Sequence, residues 1–98
     1  MHVLALRIGL TLPQARSLKA KRSAIMPILD GARRRFRVAS AEVAEQDTWD
    51  RAELGFVAVS GSARHVAEVV DEVERFVWSF PEVEVTATTR SWLEEDDR

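Results

Sequence analysis

Hydrophobic residues alternate with small or polar residues at the start of the chain, and this pattern predicts a first β-strand. A period of two places every second side chain on one face of a sheet, where it is buried against the rest of the molecule. Pro13 ends the strand, because proline lacks the amide hydrogen that strand pairing requires. The apolar members of the series are Leu4, Leu6, Ile8, Leu10 and Leu12.

The spacing of apolar residues then changes to that of an α-helix. Ser17 is the predicted N-cap, since its hydroxyl can accept a hydrogen bond from an amide of the first turn. Pro27 falls opposite the apolar line, so we expect it to face solvent. At 100° per residue the apolar side chains fall within about 40° of one line, which predicts a single buried face. This face consists of Leu18, Ile25, Leu29, Ala32 and Phe36.

Two more strands and a second helix follow along the chain. The strands are predicted over residues 38–45 and 53–60, and the polar connection between them contains Trp49. Ser62 is the predicted N-cap of the second helix, and Pro81 ends it. The predicted buried face of this helix consists of Val66, Val69, Val70, Val73, Phe76, Val77 and Phe80.

A last strand begins at Val83, where alternation resumes, so the element order is β-α-β-β-α-β. Right-handed crossovers over four strands then predict a ferredoxin-like α+β sandwich, a four-stranded antiparallel sheet with two helices on one face. A length of 98 residues allows one hydrophobic core. We therefore predict a single domain over residues 1–93, followed by an acidic tail, residues 94–98, with the composition of a disordered segment.

Composition excludes several classes of protein. The absence of cysteine excludes disulfides and thiolate metal sites, and it is typical of a reducing compartment. No apolar run approaches the ~20 residues of a membrane helix. The apolar N-terminus contains Arg7 and lacks the basic leader and cleavage site of a signal peptide. A cytoplasmic protein without a membrane partner is therefore expected.

A net charge of −2 conceals a strong separation of charge along the chain. Residues 1–40 contain nine Lys or Arg and one acid, a net charge of +8, whereas residues 41–98 contain five Lys or Arg and fifteen acids, a net charge of −10. The first helix is therefore the first candidate for binding an anionic partner such as RNA. In projection, one flank of this helix carries Lys19, Arg22, Arg33 and Arg37.

The basic flank has three interpretations that the sequence leaves open. Its cations can track the phosphates of RNA. They can instead be solvated, with the last-turn arginines offsetting the helix dipole, or they can pair with the acidic second helix. Lys21 lies on the other flank and is the weaker candidate for binding an anion.

Leu54 and Phe56 are candidates for a protein interface. If they face away from the helices they make the open sheet face apolar, and such a face favours association with another subunit. A base-stacking platform of the RNA-recognition-motif type is disfavoured, because the first strand offers no aromatic residue. Trp49 is either a local packing residue or an interface anchor. Trp78 lies about 120° from the apolar line of its helix, so we expect it to be at least partly exposed, and it is a further interface candidate.

No set of residues suited to catalysis is found. Acylphosphatases share this topology, but they use a glycine-rich phosphate loop and an asparagine. Here the corresponding residues 12–16 contain no glycine and the chain contains no asparagine. His2 and His65 stand alone in the sequence, and a metal site needs several ligands. No catalytic residue, metal, cofactor or small-molecule substrate is therefore predicted.

Two motifs resemble the YlxP-like bacterial family, which contains a domain of unknown function, DUF503. The first is Ser-Leu-Lys-x-Lys-Arg at residues 17–22, and the second combines Val-Ala-Ser-Ala-Glu-Val at residues 38–43 with Asp-Thr-Trp-Asp-Arg-Ala at residues 47–52. The resemblance extends from about residue 1 to Leu93. It implies a ferredoxin-like fold and a chromosomal setting beside genes for translation initiation and ribosome maturation, and it brings no catalytic residues.

Two hypotheses of function follow. The first is a non-catalytic RNA- or ribosome-associated accessory module that uses the basic flank of the first helix. The alternative is a homo-oligomeric structural or regulatory protein that associates through its open sheet face or a sheet edge.

Overall fold

The computed structural model describes residues 1–93, which form one sheet and two helices. In chain order the elements are β1 (His2–Thr11), α1 (Leu18–Phe36), β2 (Ala39–Ala44), β3 (Arg51–Ser60), α2 (Ala63–Trp78) and β4 (Glu84–Trp92). The strands pair antiparallel in the order β2-β3-β1-β4, and both helices pack on one face of the sheet. The predicted ferredoxin-like sandwich is confirmed. The predicted disordered tail, residues 94–98, lies outside the described residues.

The core lies between the sheet and the helices, and the pairing of β1 with β3 decides which residues enter it. Leu6 is opposite Phe56 and Ile8 is opposite Leu54, so the even-numbered residues of both strands face the helices. Leu54 and Phe56 are buried there, and the prediction that they form the open face is wrong. The reason is that alternation defines two sets of residues in a strand, and only the pairing with a neighbour assigns one set to the core.

Helix α1 begins and ends with local hydrogen bonds. The Oγ of Ser17 accepts a hydrogen bond from the amide of Ala20 at 3.0 Å, which confirms the predicted N-cap. At the other end Arg37 has a left-handed backbone, with φ of 56°, and its amide donates to the carbonyl of Arg33 at 3.1 Å. Pro27 lies inside the helix and is exposed, as predicted.

The buried face of α1 is rotated by about 50° from the predicted line. Leu18 is 39% exposed, so its predicted burial is wrong, whereas Lys21 and Ile28 are buried. The rotation arises because α1 packs against β2 as well as against α2. Side chains on the Lys21 side of the helix are therefore enclosed, and Leu18 turns outward at the helix start.

The two helices are in close contact at Gly31. A methyl group at this position would lie 2.6 Å from Cζ of Phe76, closer than a Cβ atom approaches another atom in real structures. The ring of Phe76 packs edge to face against Phe36 and Phe80, with ring centroids 5.6 Å and 5.0 Å apart. Gly31 therefore makes room for an aromatic cluster between the helices.

Helix α2 has the amphipathic pattern that the sequence predicts. The Oγ of Ser62 accepts a hydrogen bond from the amide of His65 at 3.2 Å, which confirms this N-cap. Its fully buried side chains are Val66, Val70, Val73 and Val77. Within residues 1–93, no helix combines the length and the hydrophobicity that crossing a membrane requires.

Candidate nucleic-acid interface

The basic flank of α1 presents three cations that are free to bind an external anion. Lys19, Arg22 and Arg37 are exposed, and no carboxylate of residues 1–93 lies within ion-pair distance of them. A rise of ~1.5 Å per residue separates the first and last of these by roughly 27 Å along the helix axis. The flank is therefore long enough to contact several phosphates of one nucleic-acid strand.

Arg33, the fourth predicted member of the flank, is held within the molecule. Its Nη1 lies 2.6 Å from Oδ1 of Asp30, and its Nη2 donates to the carbonyl of Ser40 at 2.8 Å. Ser40 belongs to the edge strand β2, so Arg33 ties the helix to the sheet edge. We therefore assign Arg33 first to this internal contact and only second to anion binding.

Lys21 is not available to an anion, and its prediction as a binding residue is wrong. Only 2% of its surface is exposed, and its ammonium is surrounded by three oxygens. It donates to the carbonyls of Glu45 at 2.6 Å and Thr48 at 2.5 Å, and its Nζ lies 2.7 Å from Oε2 of Glu42. That oxygen is buried and forms an ion pair without an aligned hydrogen bond to any of residues 1–93. The physical reason for the correction is that a lysine can extend its stem through the core to reach carbonyl groups at the other side.

Lys21 joins the two sequence motifs in space. The first motif supplies Lys21 itself, and Glu42 and Thr48 lie in the two parts of the second motif. Removing the ammonium would leave a carboxylate oxygen and two carbonyls without their donor, which is costly for buried groups. Some residues of the two motifs therefore serve to hold the fold together through the contacts of Lys21.

The β2–β3 connection is fixed by backbone bonds on both sides of Trp49. Thr48 is held by Lys21 and by the hydrogen bond of its amide to the carbonyl of Glu45, and the carbonyl of Asp50 accepts from the amide of Leu12 at 2.9 Å. Trp49 is 42% exposed on this fixed backbone. The connection thus presents an indole at the surface.

Three acidic residues of α2 pair with arginines outside α1. Arg64 pairs with Glu68 on the same helix, and Arg90 of β4 pairs with Asp71 and Glu74 at 2.9 Å and 3.1 Å. Burial lowers the pKa of Arg90, but the hydrogen bonds and charges of the two acids outweigh burial and raise this pKa. Within residues 1–93, no ion pair joins the two helices.

The open face of the sheet carries one ion pair near its centre. Arg7 donates from Nε and Nη2 to the two carboxylate oxygens of Glu53, at 3.2 Å and 2.9 Å. These hydrogen bonds raise the pKa of Arg7 and lower the pKa of Glu53 below its ordinary value. Trp78 is 60% exposed on α2, as predicted. No group of three or more His, Asp or Glu side chains suited to a metal is found in residues 1–93.

Fold and motifs define a class, the ferredoxin-like proteins of the YlxP type, and comparison with known proteins assigns the family. Residues 3–90 match the family described as "Protein of unknown function (DUF503)". The chain is also similar to the uncharacterized protein YlxP of Bacillus subtilis (strain 168), with 40% identity over 79 residues, or 81% of this chain and 86% of that protein. The chain belongs to the DUF503 family, and the predicted resemblance is confirmed.

The fold is similar to the crystal structure of a C-terminal segment of the alpha subunit of aIF2 from Pyrococcus abyssi. The TM-score is 0.50 at 14% sequence identity, and the alignment covers 98% of this chain and 51% of the other. This chain therefore spans about half the length of that segment. At this identity the likeness concerns the fold alone.

Proposed function

We propose that this protein is a non-catalytic RNA-binding accessory module that binds through the basic flank of α1. The observation that supports the proposal is the set of exposed cations, Lys19, Arg22 and Arg37, that have no acidic partner in residues 1–93. Unpaired cations along one line attract a polyanion, and each phosphate contact releases counterions. The family resemblance implies a chromosomal setting beside genes for translation. We therefore propose ribosomal RNA as the anionic partner.

The structure changes which residues the proposal rests on. Lys21 no longer belongs to the set, because its charge is used inside the molecule, and Arg33 is partly used by Asp30 and Ser40. Arg34, outside the predicted flank, strengthens the basic surface, since it is also exposed without a carboxylate partner in residues 1–93. Binding is therefore expected to depend on exposed side chains. Reversing their charge is expected to leave the protein folded.

The test is a pair of variants with the same net charge. Lys19→Glu with Arg22→Glu reverses two cations of the flank. Arg64→Glu with Arg75→Glu reverses two exposed cations of α2 and is the matched control. Binding is measured to a labelled single-stranded RNA and, by co-sedimentation, to purified ribosomal particles. We expect the flank variant to lose at least about tenfold in affinity while the control retains it.

An equal loss in both variants would mean that only net charge matters, and it would contradict a defined interface. Unchanged co-sedimentation of the flank variant would contradict the proposal directly. Circular dichroism and the thermal midpoint of each variant show that a loss of binding is not a loss of fold.

A further inference from the structure

The sheet face opposite the helices is exposed and largely apolar. Its exposed valines, Val43, Val57 and Val59, come from the two strands on one side of the sheet. The strand register also places several small residues on this face. Their side chains project little from the sheet, so the backbone of another molecule can approach it closely. These small residues include Ala5, Gly9, Ala41, Gly55 and Ala87.

The Arg7–Glu53 ion pair forms a ridge that separates two hollows on this face. One hollow has a volume of about 410 Å³ and is lined by Ala5, Arg7 and Gly55 among others. The second has a volume of about 260 Å³ and is lined by Gly9 and Glu53 among others. The face therefore offers both a projection and recesses of side-chain size.

The pairing of β1 with β3 makes the shape of this face complementary to the same face of a second copy. In three successive cross-strand pairs on the open face, a small residue lies opposite a larger one. A two-fold axis that runs along the strands, between β1 and β3, places β1 of one copy over β3 of the other. Each large side chain then lies over its small counterpart in the partner. The three pairs are Ala5 with Val57, Gly55 with Arg7, and Gly9 with Glu53.

The charges and the area of the face also fit a second copy. The ion pair makes the centre of the face neutral, so it does not attract a polyanion, and the two-fold brings Arg7 of one copy toward Glu53 of the other. A strand residue occupies ~16 Å² of sheet, from a rise of ~3.3 Å and a strand spacing of ~4.8 Å. If the whole face is covered, strands of 10, 6, 10 and 9 residues thus give roughly 550 Å² per copy and about 1,100 Å² per pair, just above the ~1,000 Å² that a biological interface should bury.

We propose that two copies of this chain associate face to face through their open sheets, about a two-fold axis parallel to the strands between β1 and β3. This dimer goes beyond the proposed RNA binding and does not depend on it, because the basic flank lies on α1 at the other side of the sheet. The dimer uses the open face that the sequence predicted to be apolar, but with Val57 and Val59 in the positions assigned to Leu54 and Phe56.

The first test is the molar mass in solution, measured by light scattering over a range of protein concentrations. The wild type is expected to be a dimer at high concentration. Val57→Glu places a charge on the interface and is expected to give a folded monomer. Trp78→Glu is the control, because Trp78 is the largest exposed apolar side chain of α2, and this variant is expected to remain dimeric. A monomeric wild type, or a dimer that survives Val57→Glu, would overturn the proposal.

The second test is independent of Val57→Glu and uses the absence of cysteine in the chain. The single variants Ala5→Cys and Val57→Cys are mixed and treated with a bismaleimide whose spacer is about 10 Å, the distance between packed sheets. The proposed axis places the two cysteines opposite each other, so the product that joins Ala5→Cys to Val57→Cys is expected in high yield. A mixture of Ala5→Cys with Trp78→Cys is the control, and equal yields of the mixed product in the two mixtures would contradict the proposed interface.

Discussion

At the scale of single residues, Lys21 is the clearest case of a charge used for structure rather than for binding. Its ammonium has three oxygens within 2.7 Å: two carbonyls that accept its hydrogen bonds and one carboxylate oxygen in an ion pair. Lys19 and Arg22, its neighbours in sequence and in charge, point to solvent. One short basic motif therefore divides into a core residue and two surface residues.

Replacing Lys21 tests its structural role. Lys21→Met keeps the apolar stem but removes the donor, so Glu42 and the carbonyls of Glu45 and Thr48 lose their partner. We expect the free energy of unfolding to fall by about 3 kcal/mol. Lys19→Met, the exposed control, is expected to change it by less than about 0.5 kcal/mol. Urea denaturation of the two variants checks this, and equal losses would contradict the structural role.

A second substitution separates the two contributions to that loss. Adding Glu42→Gln to Lys21→Met removes the uncompensated buried charge, so the double variant is expected to regain about 1 kcal/mol. If the double variant is less stable than the single one, the carboxylate is not the source of the cost.

The sequence predicted the exposed cations better than the buried one. Lys19 and Arg22 follow from the helical projection, because exposure needs only the right angle on the helix. Lys21 was placed on a weaker flank, since its burial depends on where β2 and its connection lie against α1. The acid Glu42 within the second motif was the available signal that a cation was needed there.

At the scale of elements, the close approach of α1 and α2 at Gly31 predicts an unusual response to alanine. Alanine gains about 1 kcal/mol of helix propensity over glycine, but its methyl group would lie 2.6 Å from Phe76. Because crowding in a packed site costs about 1–3 kcal/mol, Gly31→Ala is expected to lower the free energy of unfolding by about 1 kcal/mol.

Gly61→Ala is the control, because a methyl group there meets no atom within 4 Å. It is expected to leave stability unchanged or raise it by a few tenths of a kcal/mol. Phe76→Leu should cost less in the Gly31→Ala background than in the wild type. Thermal denaturation of the wild type and these four variants measures the changes, and a stabilising Gly31→Ala would contradict the close approach.

The Arg7–Glu53 pair predicts a pH dependence for the sheet. The pKa of Glu53 is lowered in the folded state from its ordinary value of 4.5, chiefly by the hydrogen bond from Arg7. The contribution to stability is therefore complete above pH 4.5 and is lost as the pH falls through the lowered pKa. Glu53→Gln should be less stable than the wild type at neutral pH, and the difference should vanish in acid. Denaturant titrations at several pH values check this, and a constant difference would contradict it.

Element order was predictable from the sequence, but the faces of the strands were not. Periodicity, proline and the N-cap serines located six elements, and both serines cap the helices as expected. Leu54 and Phe56 were assigned to the wrong face, because the set of alternating residues that enters the core is decided by pairing with β1. The rotation of α1 about its axis also depends on tertiary packing, because the contact of α1 with β2 determines which side of the helix is buried.

At the scale of the whole molecule, the basic flank and the open sheet face are two separate candidate binding surfaces with different chemistry. Three of the four cations of the flank have no carboxylate partner within residues 1–93, which suits a polyanion. The sheet face is neutral and apolar, and it suits a second copy of the chain. A face-to-face dimer would leave both basic flanks exposed, so two copies would bind one RNA more tightly than a single copy does.

The salt dependence of RNA binding tests the central claim most directly. If Lys19, Arg22 and Arg37 each contact a phosphate of a single strand, the logarithm of the affinity per protomer should fall with the logarithm of the salt concentration with a slope of about −2. Lys19→Glu with Arg22→Glu should reduce the magnitude of this slope to about 0.7, whereas Arg64→Glu with Arg75→Glu should leave it unchanged. A slope near zero in the wild type, or an equal change in both variants, would contradict RNA binding through the basic flank of α1.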